Sequence, residues 1–480
     1  MNQTQSEPSK NRNPQDTCTT MVRDSINQFI AAYRRGATDF SDFSSISTRL
    51  LYNFHDPPLV NVWFYSAITF QAAKFTVQDP LERVLVAKDL FKQLVSFGDW
   101  YCTTSALKRI ALLAPVVYEL HNLAYEKRHL EGEIESVLEK VVSYSSIFCG
   151  CGGKGGEDDG GLNSCFLDTI RVWMVDRLGV GDELEAFFPI ASDEVRKGMV
   201  KMGCGMSYIA GVVMCEALLL RLCLKFGLGN SRVELEKDVH NLAFQTMNGF
   251  QSFYFFDILF SMLLEPALPV THLLNSGDEF ILRKVLHDVV MAVDYSFLKF
   301  NTVIRALPGD LLKDLAVKWL LVAENAIWFA RKYDDQAKVI SYINIFSESF
   351  LSSQLLEWIT NQTGMEGKIF SSDVSNPVPF IKWILDTEDQ GLRIFDCEIS
   401  KLRAKEIISR SSTEHVHPIV KPDSEYLDDC DLEMADTMDA ADMDADDMLN
   451  TMTIDGSRKR KDGVMCNEEI MQAKFVKYWI

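Results

Sequence analysis

From residue 21 to residue 410, apolar side chains return every three or four positions in one segment after another. Val22, Ile26, Phe29, Ile30 and Tyr33 open the pattern, and Phe40, Phe43, Ile46, Leu50, Leu51 and Phe54 continue it. A period near 3.6 places such residues on one stripe of a helix, and that stripe must be buried against another element. Strand alternation bounded by tight turns is nearly absent. The fold class is therefore all-α.

Local punctuation divides the pattern. Pro57-Pro58 separates the first helices from 59–77. Asp79-Pro80 is a helix start with a mechanism, because Asp accepts from free amides and Pro needs no amide at the first helical position. The helix it opens carries Leu81, Val84, Leu85, Phe91, Leu94 and Val95, and Gly98 is the expected stop. Further helices are predicted over 105–125 with a kink at Pro115, 134–147, 166–178, 193–226, 233–247, 253–264, 279–298, 309–333, 336–360, 378–385 and 399–408.

Many amphipathic hairpins joined by short loops bury their faces most simply by stacking. Helix pairs recur at roughly 40 residues, the spacing of HEAT or armadillo-like units, although no residue signature repeats. The expected architecture is an irregular α-solenoid, with a closed helical globule as the alternative. Residues 1–20 read as a disordered leader without the apolar run of a signal peptide. The body spans 21–410 and carries a Gly-rich loop at 149–164, read as a loop within one array. A disordered acidic tail occupies 411–466, and an amphipathic helix 467–480.

The tail gives the chain its electrostatic direction. Thirteen carboxylates fall between Asp423 and Asp455 with no Lys or Arg among them, and they supply thirteen of the twenty net negative charges. Its Leu and Met residues are too sparse to bury a core. The sign then reverses at Arg458, Lys459, Arg460 and Lys461, a run that acidic grooves of import receptors would read in accessible chain. Beyond it, Asn467 is a good helix cap, and Ile470, Met471, Phe475, Tyr478 and Trp479 gather on one face. Fourteen residues do not hold a helix alone, so this face is expected either to latch onto the chain's own body or to bind a partner.

The net charge argues against a nucleic-acid groove as the main activity. Eleven cysteines, several within apolar helical stretches, favour buried reduced thiols. Two stretches are apolar enough to suggest a membrane span. However, 206–224 contains Glu216 and Arg221, and 253–274 contains Asp257, Glu265, Pro266 and Pro269, so no span is expected.

Catalytic and metal motifs fail on their own chemistry. Gly153-Lys154 lacks the Ser or Thr and the preceding strand of a phosphate loop. Cys149, Cys151 and Cys165 have the wrong spacing for zinc. Asp442-Met443-Asp444-Ala445-Asp446 begins a calcium loop, but Asp447 stands where Gly is needed and Thr453 where Glu is needed. Asp334-Asp335 and Asp428-Asp429 miss the spacing of an all-α synthase cluster, and His240, His272 and His287 have no partner at metal or triad spacing. No cofactor is expected. The preferred reading is a non-enzymatic nuclear scaffold that binds proteins, among them basic nuclear proteins and import receptors, in transcriptional or chromatin work. A cytoplasmic α-helical adaptor is the alternative. An all-α enzyme, the third class, would reveal itself by a deep pocket lined with convergent carboxylates or histidines.

Overall fold

The structure, a computed structural model, describes residues 14–414 apart from breaks at 53–55, 76, 78, 101–104, 127–129, 150–164, 178, 180, 202–204, 229–230, 304–308 and 365–374. The chain divides into two units, Met1–Ile419 and Val420–Ile480. The Gly-rich loop, most of the acidic stretch, the basic cluster and the terminal helix lie outside the described residues.

Every regular element among the described residues is helical. In order these are α1 (Pro14–Arg34), α2 (Ser41–Tyr52), α3 (Leu59–Lys74), α4 (Pro80–Trp100), α5 (Ala106–Ala111), α6 (Ala114–Glu126), α7 (Glu131–Cys149), α8 (Phe166–Trp173), α9 (Glu183–Phe187), α10 (Asp193–Lys201) and α11 (Met206–Lys225). They continue as α12 (Arg232–Gly249), α13 (Phe253–Leu263), α14 (Ser276–Ala292), α15 (Gly309–Lys332), α16 (Gln336–Glu348), α17 (Phe350–Thr363), α18 (Pro377–Asp389) and α19 (Glu398–Glu414). Single 3₁₀ segments occupy Val175–Arg177, Phe226–Leu228 and Tyr295–Val303.

Local chemistry explains most boundaries. Asp79 accepts from the Leu81 amide at 3.0 Å and starts α4 as its sequence predicts. That helix does not stop at Gly98 but runs on to Trp100. A Cβ at Gly98 would lie 3.2 Å from Arg109 Cγ and Tyr144 Oη, so the glycine serves a close approach of neighbours. The stretch 105–125 is broken into α5 and α6 rather than kinked, because Pro115 has no amide for the Ala111 carbonyl and its ring crowds that position. The stretch 336–360 is likewise two helices. Ser349 accepts from the Leu351 amide at 3.1 Å and caps α17 within an otherwise unbroken apolar pattern. The stretch 193–226 divides into α10 and α11, the second starting after Gly205, and α1 begins at Pro14, ahead of the position its apolar spacing gives.

Packing follows chain order over much of the body. In the second half α12 lies on α14, α13 on α15, and α15 gathers α14, α16, α17, α18 and α19. An aromatic seam runs through this block, with Phe256 against Tyr295 at 5.1 Å, Tyr295 against Trp319 at 6.2 Å, Trp319 stacked on Phe346 at 5.4 Å, and Phe346 against Phe380 at 6.3 Å. Such pairs add about 0.5–1.5 kcal/mol each beyond their buried area. Besides the gathering of helices on α15, two further features depart from simple stacking. Helix α8 packs back onto α1 and α3, and α11 is surrounded by α5, α6, α7, α10, α12 and α13.

By length and composition α11 is the one described helix apolar enough to cross a membrane, and it is buried among the others. Two of its three charged residues, Glu216 and Arg221, are buried and find partners within the fold. Glu216 Oε1 accepts from the amides of Ile190 and Ala191 at 3.0 and 3.1 Å, and Arg221 reaches Glu139 at 3.2 Å and Glu135 at 3.5 Å. Gly211 lets α13 approach, since a Cβ there would meet the Tyr254 backbone at 2.9 Å.

Candidate functional site: a cleft around Glu119

The basic cluster Arg458 to Lys461 and the face formed by Ile470, Met471, Phe475, Tyr478 and Trp479 lie outside the described residues, as do Gly153-Lys154, Cys151 and Asp442 to Asp446. The other sequence candidates have local roles. Asp334 adopts a left-handed conformation with φ 57° at the end of α15, and Asp335 accepts from the Lys338 amide at 3.1 Å to cap α16. Cys149 Sγ donates to the Gly249 carbonyl at 3.2 Å, and Cys165 is buried at the start of α8. His240 stacks beside Phe244 on α12. His287 is buried on α14, with Nδ1 2.9 Å from the Arg283 carbonyl, and burial pushes its pKa down to about 3.

His272 does have a partner, 151 residues away. It lies in the turn before α14, and its Nε2 sits 2.6 Å from Nε2 of His121 on α6. Only one of the two nitrogens can carry the hydrogen, so the two rings cannot both be protonated at once. Burial, joined by the neighbouring His272 and Arg177, holds His121 at about 3, and burial also lowers His272.

Close to this pair is a cleft of about 380 Å³ that no sequence motif announces. Four regions build it: the end of α3 with Lys74, the start of α4 with Arg83, one face of α6 with Tyr118, Glu119, Asn122 and Glu126, and the end of α8 with Trp173 running into Met174, Asp176 and Arg177. It therefore gathers three carboxylates and three cations from segments far apart in sequence.

Most of these charges neutralise one another. Lys74 Nζ donates to Asp176 at 2.8 Å, and the Tyr33 hydroxyl donates to the same carboxylate at 2.5 Å. Burial would raise the Asp176 pKa, but these two hydrogen bonds outweigh it and hold the group below the usual range. Arg83 donates to Glu126 at 2.7 Å. Arg177 makes only a long 4.0 Å contact with Glu126, with its side chain nearly half exposed. Burial pushes the Tyr118 hydroxyl up to about 12.

Glu119 stands apart. Its residue is 4% exposed, it lines the cleft, and among the described residues its carboxyl has no hydrogen-bond partner. Burial raises its pKa to about 7, and Lys74, Arg83 and Arg177 pull against that rise. Behind it, the Trp173 indole N–H is also buried without an acceptor among the described residues. A pocket that gathers titratable groups, one of them with its pKa displaced by burial, is a candidate binding or active site.

No family model matches the chain, and no curated protein or solved structure matches it either.

Proposed function

We propose that this chain is a nuclear protein-interaction scaffold: an irregular, HEAT/armadillo-like helical array whose acidic and basic C-terminal stretches engage protein partners and import receptors. The observation that carries this reading is the packing of chain neighbours in the second half, α12 on α14, α13 on α15, α15 on α16 and α16 on α17, although α15 is also touched by α18 and α19. Stacked helices of this kind present extended surfaces suited to other proteins. The enclosure of α11 makes the array irregular and gives its middle the character of a closed globule. The thirteen carboxylates between Asp423 and Asp455 suit basic partners, and Arg458 to Lys461 suit an acidic receptor groove.

The test is affinity purification of the full chain and of a chain lacking residues 423–480, together with localisation of a variant with Ala at Arg458, Lys459, Arg460 and Lys461. The scaffold reading expects a defined set of co-purifying nuclear proteins that shrinks on truncation, and loss of nuclear accumulation in the quadruple variant. Partners confined to the cytoplasm would favour the adaptor alternative. The absence of stable partners would remove the scaffold reading.

A further inference from the structure

The cleft around Glu119 contains an imbalance that can be stated residue by residue. Of its three acids, Asp176 is held by Lys74 and Tyr33, and Glu126 by Arg83. Of its three cations, Lys74 and Arg83 are firmly engaged, whereas Arg177 has one contact at 4.0 Å. One acid and one cation are therefore left over. The acid is the buried carboxyl of Glu119, and the cation is the half-exposed guanidinium of Arg177.

A carboxyl largely withdrawn from water into a cleft, with no hydrogen-bond partner among the described residues, is left under-compensated, and a ligand that supplies the partner recovers part of that cost. A purely cationic ligand meets Lys74, Arg83 and Arg177, which repel it. A purely anionic ligand meets Glu119, Glu126 and Asp176. A small zwitterion satisfies both remaining groups: its ammonium donates to Glu119, and its carboxylate accepts from the Arg177 fork in the paired geometry that guanidinium and carboxylate favour. The volume of about 380 Å³ falls at the small end of ligand pockets, and Val77, Trp173 and Met174 offer apolar wall for a side chain.

We propose that this cleft is a binding site for a free α-amino acid, with Glu119 taking the ammonium and Arg177 the carboxylate. The inference rests on the cleft alone and is independent of the scaffold reading. Binding requires the Glu119 carboxyl to ionise, so it releases a proton wherever that group starts protonated. The charged and titratable groups lining the cleft with Glu119 are Lys74 from α3, Arg83 from α4, Tyr118 and Glu126 from its own helix, and Asp176 and Arg177 beyond α8.

The experiment is isothermal titration of the full-length chain with a panel of free L-amino acids (arginine, glutamate, leucine, phenylalanine and tyrosine) beside the N-acetyl and amide form of each. At least one free amino acid is expected to bind with unit stoichiometry, and both of its blocked forms about tenfold or more weaker. E119Q keeps the shape and removes the charge, and R177Q alters a half-exposed side chain. Each should weaken binding about tenfold while leaving the circular dichroism of the chain unchanged. Affinity should rise about tenfold per pH unit below pH 7 and level off above it, with heats below pH 7 that depend on the buffer's protonation enthalpy, and E119Q should abolish both effects. The proposal is overturned if no amino acid saturates at millimolar concentration, if a blocked form binds as well as its parent, or if E119Q binds unchanged.

Discussion

Glu119 on α6 and Glu216 on α11 are both glutamates in helices, and both are nearly inaccessible, at 4% and 2% exposure. Burial raises both carboxyls, to about 7 and about 8 respectively. Their surroundings differ. Glu216 accepts two amides of the turn between α9 and α10 with a single oxygen, so it serves as the peg that holds that turn against α11. Glu119 faces a cleft and accepts nothing from the described residues. A group buried at similar cost in both places contributes to the fold in one and leaves an open valence in the other.

The largest expected effect breaks the pair apart directly. At pH 5 both carboxyls are mostly protonated when folded. E216A then strips the acceptor from two buried amides and should cost about 3 kcal/mol in denaturant unfolding, while E216Q, which keeps an amide oxygen, recovers most of it. E119A at the same pH should cost far less, because no amide loses a partner and water can enter from the cleft. Equal losses at the two positions would mean that Glu119 has a structural partner after all.

Next in size is an effect of opposite sign. A carboxyl whose folded pKa is raised costs stability as pH climbs from its unfolded value, near 4.5, up to the folded value, because the unfolded state ionises first. Between about pH 4.5 and 7 Glu119 therefore lowers stability. E119Q should raise the unfolding free energy at pH 8 by up to about 3 kcal/mol and make no difference at pH 4.

The histidine pair beside the cleft has the reverse slope. Both rings are held neutral in the fold, whereas the unfolded chain takes up protons below about pH 6.5, so stability falls as pH drops through that value. H272Q keeps a hydrogen-bonding group opposite His121 and removes one titrating ring. The stability lost between pH 7 and pH 5 should shrink in thermal unfolding series. An unchanged loss would show that the pair does not titrate with unfolding.

The smallest effect concerns the rim. The Lys74 side chain is one-third exposed and that of Asp176 somewhat more, so K74M should cost only about 0.5 kcal/mol, as solvent-screened pairs do. Because Lys74 favours the ionised form of Glu119, the same change should move the Glu119 titration upward.

The sequence discloses the helical class and many boundaries because these are local. Asp79-Pro80 opens α4 by side-chain chemistry within two residues, and the apolar stripes of α7, α12 and α15 are set by their own spacing. The break at Ser349 is hidden because one serine between two apolar runs resembles any polar position on a helix. The helix continues past Gly98 because neighbouring Arg109 and Tyr144 determine what that glycine is for. The cleft is hidden for a stronger reason. Lys74, Arg83, Glu119, Asp176 and Arg177 each read as ordinary solvated charges, and only packing shows that one of them lacks a partner. His121 and His272 are a pair only in space.

The most direct test of the central claim, that Glu119 is a buried carboxyl without an internal partner, is the infrared difference spectrum between the parent chain and E119Q across pH 5 to 9. A protonated-carboxyl carbonyl band belonging to Glu119 should be present at pH 6 and gone by pH 8, with its midpoint near 7. A spectrum in which Glu119 is already ionised at pH 5 would contradict the account, because it would mean that a partner holds the carboxylate in its charged form.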